Sequence, residues 1–222
     1  MSAAETTSGG PSARVDDWDE ITDLDELTAL VGEPTQAVRD KVRPALHDLD
    51  RRWLAASPFC VLATADADGR LDASPKGDPA GRLVHVIDDH TLVIAERPGN
   101  KRVDGYRNVL VNPHVGLLFL IPGRGDTLRV NGRARLVRDA PFFADLEVRG
   151  RRPLLALVVE VEEVFHHCAK AFLRSQLWKP ETWDPDALAS RAEIAHQLDR
   201  RDASLDELRA YYDEASYSRG LY

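Results

Sequence analysis

From Phe59 to Val164 the chain is a series of short apolar runs broken by hairpin turns, and this texture constrains its fold more than any other feature. Phe59–Ala65 (FCVLATA) has the length and β-branched content of a buried strand, and Asp68–Gly69 is the two-residue turn that returns it. The return runs over Leu71–Ser74, followed by a loop rich in proline and glycine, Pro75–Gly81. Leu83–Ile87 and Thr91–Ala95 form a second hairpin around Asp88–Asp89. His114–Ile121 and Thr127–Val137 flank the glycine loop Pro122–Asp126, and Leu154–Val164 is the most apolar strand. Between these runs only one helix of useful length is expected, from Asn100 to about Val111, with a short one after Pro141. Alternating βαβ units would need a helix after every strand, so the pattern indicates an antiparallel barrel with helices packed outside it.

Helical segments lie on either side. Thr22 or Asp23 caps a helix that Gly32 and Pro34 end, and a second helical stretch starts near Thr35. Pro44 fits the first turn of a helix to about Ala56, with Leu46, Leu49, Trp53 and Leu54 on one face. The expected organisation is a disordered tail over 1–15, helices over 16–57 packed on the barrel, the barrel over 58–178, and a helical extension over 179–222. The opening residues MSAAETTSGGPSA lack the apolar centre of a secretory leader. Two cysteines, Cys60 and Cys168, without CxxC spacing make a disulfide framework or structural zinc unlikely on chemical grounds, and a reducing cytoplasm is the expected compartment. No apolar run is long enough to span a bilayer.

Charge narrows the partners. The formal net charge of -8 opposes a nucleic-acid role, since phosphate backbones select basic surfaces. Yet Arg124, Arg129, Arg133, Arg135 and Arg138 make the middle of the chain basic, which suits a small anionic ligand. The segment Arg97-Pro98-Gly99-Asn100-Lys101-Arg102-Val103-Asp104 sharpens this. With Asn100 as N-cap, Lys101 and Arg102 would open a helix at the end where cations oppose the macrodipole. A bound anion resolves that conflict; a solvated basic turn is the other reading, and both stay open on these residues. Ser74-Pro75-Lys76-Gly77-Asp78 follows a strand, so Lys76 either reaches over the barrel mouth or sits on a surface turn. Phe165–Trp178 reads as a helix with Phe165, Cys168, Ala169 and Phe172 on an apolar face and His167, Lys170, Arg174 and Trp178 on a polar stripe. Consecutive His166-His167-Cys168 on such a helix point about 100° apart and do not converge on one metal ion. No nucleophile elbow, phosphate loop or dinucleotide fingerprint occurs, so redox or transfer chemistry here belongs to a cofactor.

Four segments in this order, SPFCVLATADADGRLDASPKGD (57–78), IAERPGNKRVDGYRNVLVNPHVGLLFLIPG (94–123), TLRVNGRARLV (127–137) and FHHCAKAFLRSQLW (165–178), resemble the FMN-binding split-barrel superfamily, in its pyridoxamine 5'-phosphate oxidase class. The resemblance implies a mainly β fold with flanking helices, a six-stranded antiparallel Greek-key barrel. It implies a homodimer with FMN at the subunit interface. Asn100, Lys101 and Arg102 match the triplet that holds the FMN phosphate, and Ser74 and Lys76 match the strand end beside the isoalloxazine ring. Thr127 stands where the oxidases carry a glutamine facing the flavin, and Trp178 matches a tryptophan that reaches the flavin from the partner chain. The Arg and Ser pair that grips the substrate phosphate in the true oxidases is not reproduced in Arg149-Gly150-Arg151-Arg152-Pro153-Leu154, so pyridoxamine phosphate is not the expected substrate. The implied activity is FMN-dependent oxidation or reduction of a small organic molecule, with NAD(P)H or oxygen as redox partner. A flavin-binding protein without turnover is the alternative, and a haem protein on the same barrel would need an exposed axial histidine, for which His114 and His167 are the candidates.

Overall fold

A computed structural model describes residues 18–222, and the tail expected over 1–15 lies outside them. The chain divides into two units at Asp40. In the first, Asp23 Oδ1 accepts the Glu26 N–H at 2.8 Å and starts helix α1 (Leu24–Val31). Gly32, at a φ of +85°, ends that helix. Helix α2 (Gln36–Asp40) follows, and neither helix buries a residue.

The second unit, 41–222, is built on helix α3 (Asp48–Ala56) and seven strands: β1 (Phe59–Ala65), β2 (Leu71–Gly77), β3 (His85–Val86), β4 (Thr91–Ala95), β5 (His114–Leu120), β6 (Thr127–Val137) and β7 (Ala156–His167). Helix α4 (Asp104–Val111) stands between β4 and β5. The strands form one antiparallel sheet in the order β2-β1-β5-β6-β7-β4-β3. The expected six-stranded barrel is therefore a seven-stranded sheet that does not close, with β2 and the two-residue β3 at its ends. The mainly β architecture with flanking helices is as the hairpin pattern predicts.

Side-chain alternation explains where the core sits. Along β4 and β7, Leu92, Ile94, Leu157 and Val159 face the main core with Leu62, Phe119 and Val130. The alternate residues Val93, Ala95, Ala156 and Val158 face a second cluster closed by Phe143 from the short turn after Pro141. Strands covered on both faces lose their polar alternation, which is why Ala156–Val159 is continuously apolar. Burying each such side chain stabilises the fold by about 1.5–3 kcal/mol. Near Asn131 and Gly132 the β6–β7 register shifts by one residue in a bulge. A Cβ on Gly132 would lie 2.0 Å from the Glu160 carbonyl oxygen, so only glycine fits there.

Several element boundaries differ from expectation, and at three of them a tertiary partner decides it. The helix expected from Pro44 begins at Asp48: Arg43 is held extended by two backbone bonds with Val164, and His47 supplies the cap. Leu46 is buried ahead of the helix and Leu49 faces solvent. β2 runs through Pro75 to Gly77 instead of stopping at Ser74, since its register with β1 continues to Phe59↔Gly77. Proline is tolerated because β2 is an end strand. β7 extends to His167, paired with Thr127 of β6, so the helix expected from Phe165 is only α5 (Lys170–Ser175). The apolar face and polar stripe drawn on residues 165–178 accordingly do not exist as helical faces.

At the start of α3 the carboxylate of Asp50, 1% exposed, gathers three partners. Arg43 donates through Nη1 at 2.5 Å and Nη2 at 3.0 Å, and the His47 N–H donates at 2.8 Å. His166 Nε2 lies 3.2 Å from its other oxygen. The last segment carries helices α6 (Arg191–Ile194), α7 (Leu205–Tyr212) and α8 (Glu214–Tyr217), with Ala192, Ala195 and Leu208 forming a small buried cluster. Among the described residues no helix is long and apolar enough to cross a membrane.

Candidate functional site

One cavity, of about 650 Å³, opens against β2 and the segment 94–106. Strand β2 sends Ser74 and Lys76 to it, because residues two apart share a face. The chain leaving β4 supplies Asn100, Lys101 and Arg102. These five residues, distant in sequence, are brought together. Close approach of the first turn of α4 to β2 makes this possible: a Cβ on Gly105 would lie 3.1 Å from Asp72 Oδ2 and 3.8 Å from Ser74 Oγ.

The expected helical start at Lys101 is corrected. Helix α4 begins at Asp104, and its N-cap residue, Val103, gives no side-chain hydrogen bond. Asn100 instead accepts the Arg102 N–H at 2.9 Å, a local turn that puts Lys101 at a φ of +63°. A lysine in the left-handed region is strained by about 1 kcal/mol or more, and such strain concentrates at functional sites. Arg102 is 79% exposed and ion-paired with Asp104, whereas Lys101 has no ion pair among the described residues. An uncapped helix N-terminus beside a free cation and an amide side chain is a setting for an anion. The cavity volume lies in the range of cofactor sites, so the residues present fit a monophosphate-bearing cofactor such as FMN.

Deeper in the cleft stand Lys76, Glu96 and Tyr106. The Tyr106 hydroxyl donates to Glu96, whose carboxylate also lies 3.9 Å from Lys76 Nζ. The ammonium of Lys76 sits 4.6 Å from the centroid of the Tyr106 ring. Burial, then the bond to Glu96 and its charge, push the Tyr106 phenol far above its ordinary range. Cys60, paired across the strands with Lys76, is pushed up to about 12 by burial, which makes it a core thiol and not a nucleophile.

Sequence reasoning missed the cavity's rear wall. Arg97 Nε donates to Asp78 Oδ2 at 2.6 Å, and the Tyr222 hydroxyl donates to Asp78 Oδ1 at 2.8 Å. The carboxylate of Asp78 is 3% exposed. The Tyr222 ring carries Arg149 at 5.1 Å and Arg97 at 5.9 Å. No local pattern joins residues 144 apart, so only the fold reveals this contact.

Thr127 and Trp178 do not line this cavity. Thr127 is buried at the start of β6, paired with His167. Trp178 stacks on Phe172 at 5.9 Å and donates from Nε1 to the Arg124 carbonyl at 2.6 Å. His166 is engaged with Asp50 and with the edge of Trp53, and His114 contacts Asn112 and Arg133. No group of three metal-binding side chains occurs among the described residues.

Comparison with known proteins follows the same lines. The pyridoxamine 5'-phosphate oxidase family model matches residues 46–168, more than half of the chain. No curated protein is similar enough in sequence to be matched. Among solved structures, HupZ of Group A Streptococcus is 19% identical with a TM-score of 0.45, over 55% of this chain and 93% of its own. A candidate pyridoxamine 5'-phosphate oxidase of Lactobacillus delbrueckii is 23% identical, with a TM-score of 0.44 over 55% and 95%. An FMN-binding protein of Syntrophomonas wolfei is 16% identical, with a TM-score of 0.41 over 54% and 89%. The family match, covering α3, the whole sheet and the segment that lines the cavity, makes this chain a member of the pyridoxamine 5'-phosphate oxidase family.

Proposed function

We propose that the protein binds FMN in the 650 Å³ cavity and acts as an FMN-dependent oxidoreductase on a small organic substrate. The observation that carries this reading is the convergence of Ser74, Lys76, Asn100, Lys101 and Arg102 on one cavity at an uncapped helix end. Lys101, Arg102, the Asn100 amide and the N–H groups opening α4 would hold the phosphate. Ser74 and Lys76 would border the ring. Bound FMN supplies reversible hydride and electron transfer between donor and acceptor. The chain's own part is to orient, to exclude water and to hold protons: Lys76 would stand beside the ring, and Glu96, which accepts the Tyr106 hydroxyl, is a carboxylate at the cavity that would accept or return a substrate proton.

The absorption spectrum of the purified protein, followed by titration with FMN, FAD and haem, tests the reading directly. A flavin spectrum with FMN bound more tightly than FAD is expected, because the cationic turn meets a terminal phosphate. NADH or NADPH oxidation by the loaded protein, with oxygen or a quinone as acceptor, separates an oxidoreductase from a carrier that only binds flavin. Hydrogen peroxide release from pyridoxamine phosphate is expected to be weak. A protein that stays colourless and leaves FMN fluorescence unquenched would overturn the assignment.

A further inference from the structure

A second cavity, of about 460 Å³, adjoins the first along the segment 96–103 and shares Glu96, Arg97, Pro98, Gly99, Lys101, Val103 and Tyr222 with it. Its floor is apolar, from Pro98, Val103, Pro153, Leu154 and Leu155. Leu154 is 87% exposed although it lies two residues before β7, whose first four residues are all buried. An apolar floor of this kind left facing water marks a ligand or partner site more often than chance.

The rim is cationic, and its charges are not all balanced. Arg152 is paired with Asp139 at 2.5 Å. Lys101 and Arg151 have no ion pair among the described residues. Arg97 spends Nε on Asp78 and Nη1 on the Leu146 carbonyl at 3.0 Å, and its Nη2 is buried with no partner. The one acidic side chain on its wall among the described residues, Glu96, is bonded to Tyr106 and faces Lys76 in the first cavity. In a chain of net charge -8, a concave apolar surface ringed by surplus cations selects anions by charge and apolar bodies by burial. Its volume, about 460 Å³, suits a single small molecule.

We propose that this second cavity binds an organic anion with an apolar body, such as an aromatic carboxylate, and that the Tyr222 ring is the wall dividing it from the first cavity. Calling that anion the substrate of a flavin enzyme rests on the function proposed above; the binding site itself does not. Tyr222 is suited to the wall because its hydroxyl is fixed on Asp78 while two guanidinium groups, of Arg97 and Arg149, lie over its ring. A wall of this type keeps two ligands adjacent without letting one enter the other's place.

Calorimetric titration with naphthoate, and with neutral naphthamide as the uncharged match, tests the proposal on the intact protein with and without FMN. One naphthoate per chain is expected, bound more tightly than naphthamide and not displaced by FMN. Arg151→Gln should weaken naphthoate roughly tenfold, the loss of one charged contact, while leaving naphthamide and FMN unchanged. Leu154→Asp should abolish both naphthyl ligands. Tyr222→Ala should make naphthoate and FMN compete. Displacement of naphthoate by FMN in the parent protein would put it in the first cavity and overturn the site, as would affinity indifferent to Arg151→Gln and Leu154→Asp. Independent binding of both ligands to Tyr222→Ala would overturn the wall. If FMN fails to bind at all, the naphthoate results still decide the second cavity, so the two proposals fail separately.

Discussion

Lys101 is where the local and the functional demands on this chain conflict most openly. It holds a φ of +63°, a region that favours glycine, and it carries the one cation of the turn that no carboxylate of the described residues neutralises. Arg102 beside it is drawn to Asp104. Lys101 is therefore expected to give more to phosphate binding than Arg102. Lys101→Ala keeps the strain and loses the charge, so FMN affinity should fall by about ten- to a hundredfold, for one charge-assisted bond of about 1.5–3 kcal/mol. Riboflavin affinity should hardly change. Lys101→Gly loses the same charge but relieves the backbone, and the empty protein should gain about 1 kcal/mol, read as a higher Tm. Equal loss of FMN and riboflavin, or a Lys101→Gly variant less stable than Lys101→Ala, would contradict this account. The sequence singles out the residues of the turn as a candidate anion site on the ground that cations oppose a helix dipole, but Lys101 and Arg102 do not open the helix. The helix starts two residues beyond Arg102, and the strain resides in the turn.

At the level of elements, the junction of α3 with the end of β7 depends on Asp50. Burial pushes its carboxyl upward, but the Arg43 hydrogen bonds, the His47 N–H and the charges of Arg43 and His166 outweigh that and hold it below the ordinary range. A depressed folded-state value means stability that is present above the unfolded value, about 3.9, and lost as pH falls through the folded one. Asp50→Asn should cost about 2–3 kcal/mol near neutrality, discounted because Arg43 is partly exposed, and should flatten the acid limb of a stability curve below about pH 4. A parallel acid limb in parent and variant would remove Asp50 from that role. Gly132→Ala should destabilise by about 1–3 kcal/mol through its collision with the Glu160 carbonyl, measurable as a drop in denaturation midpoint. These two positions also show what sequence pattern can and cannot reach. β1, β4 and β6 were legible to the residue because each is an apolar or alternating run bounded by turn residues of its own neighbourhood. The ends of β2 and β7 and the start of α3 were not, since Phe59, Thr127 and Val164, far away in sequence, supply the partners that set them. The rear wall at Asp78, Arg97 and Tyr222 was invisible for the same reason.

For the whole molecule, the question is how the protein uses residues that its own cavity leaves out. β5 and β7 are central strands, and within their apolar runs Val115–Ile121 and Leu154–Val159 only Leu154 is exposed. Leu71, Leu110, Val111, Leu154, Leu173 and Leu177 remain exposed. Trp178, the residue matched to a flavin contact, is held on Arg124 and Phe172, away from the cavity lined by Lys101. Both facts fit a homodimer in which Trp178 of one chain completes the site of the other. Light scattering at dilute concentration should then give twice 24.7 kDa. Trp178→Ala should lower FMN affinity without changing the empty protein's mass, and Lys101→Ala should lower it independently. Mixing the two variants decides whether they act across subunits. In a hybrid dimer one site would carry both lesions and the other neither, so an equal mixture that exchanges freely should regain tight binding in about a quarter of its sites. A tryptophan acting within its own chain predicts no recovery at any ratio, and a species of 24.7 kDa would exclude the arrangement altogether.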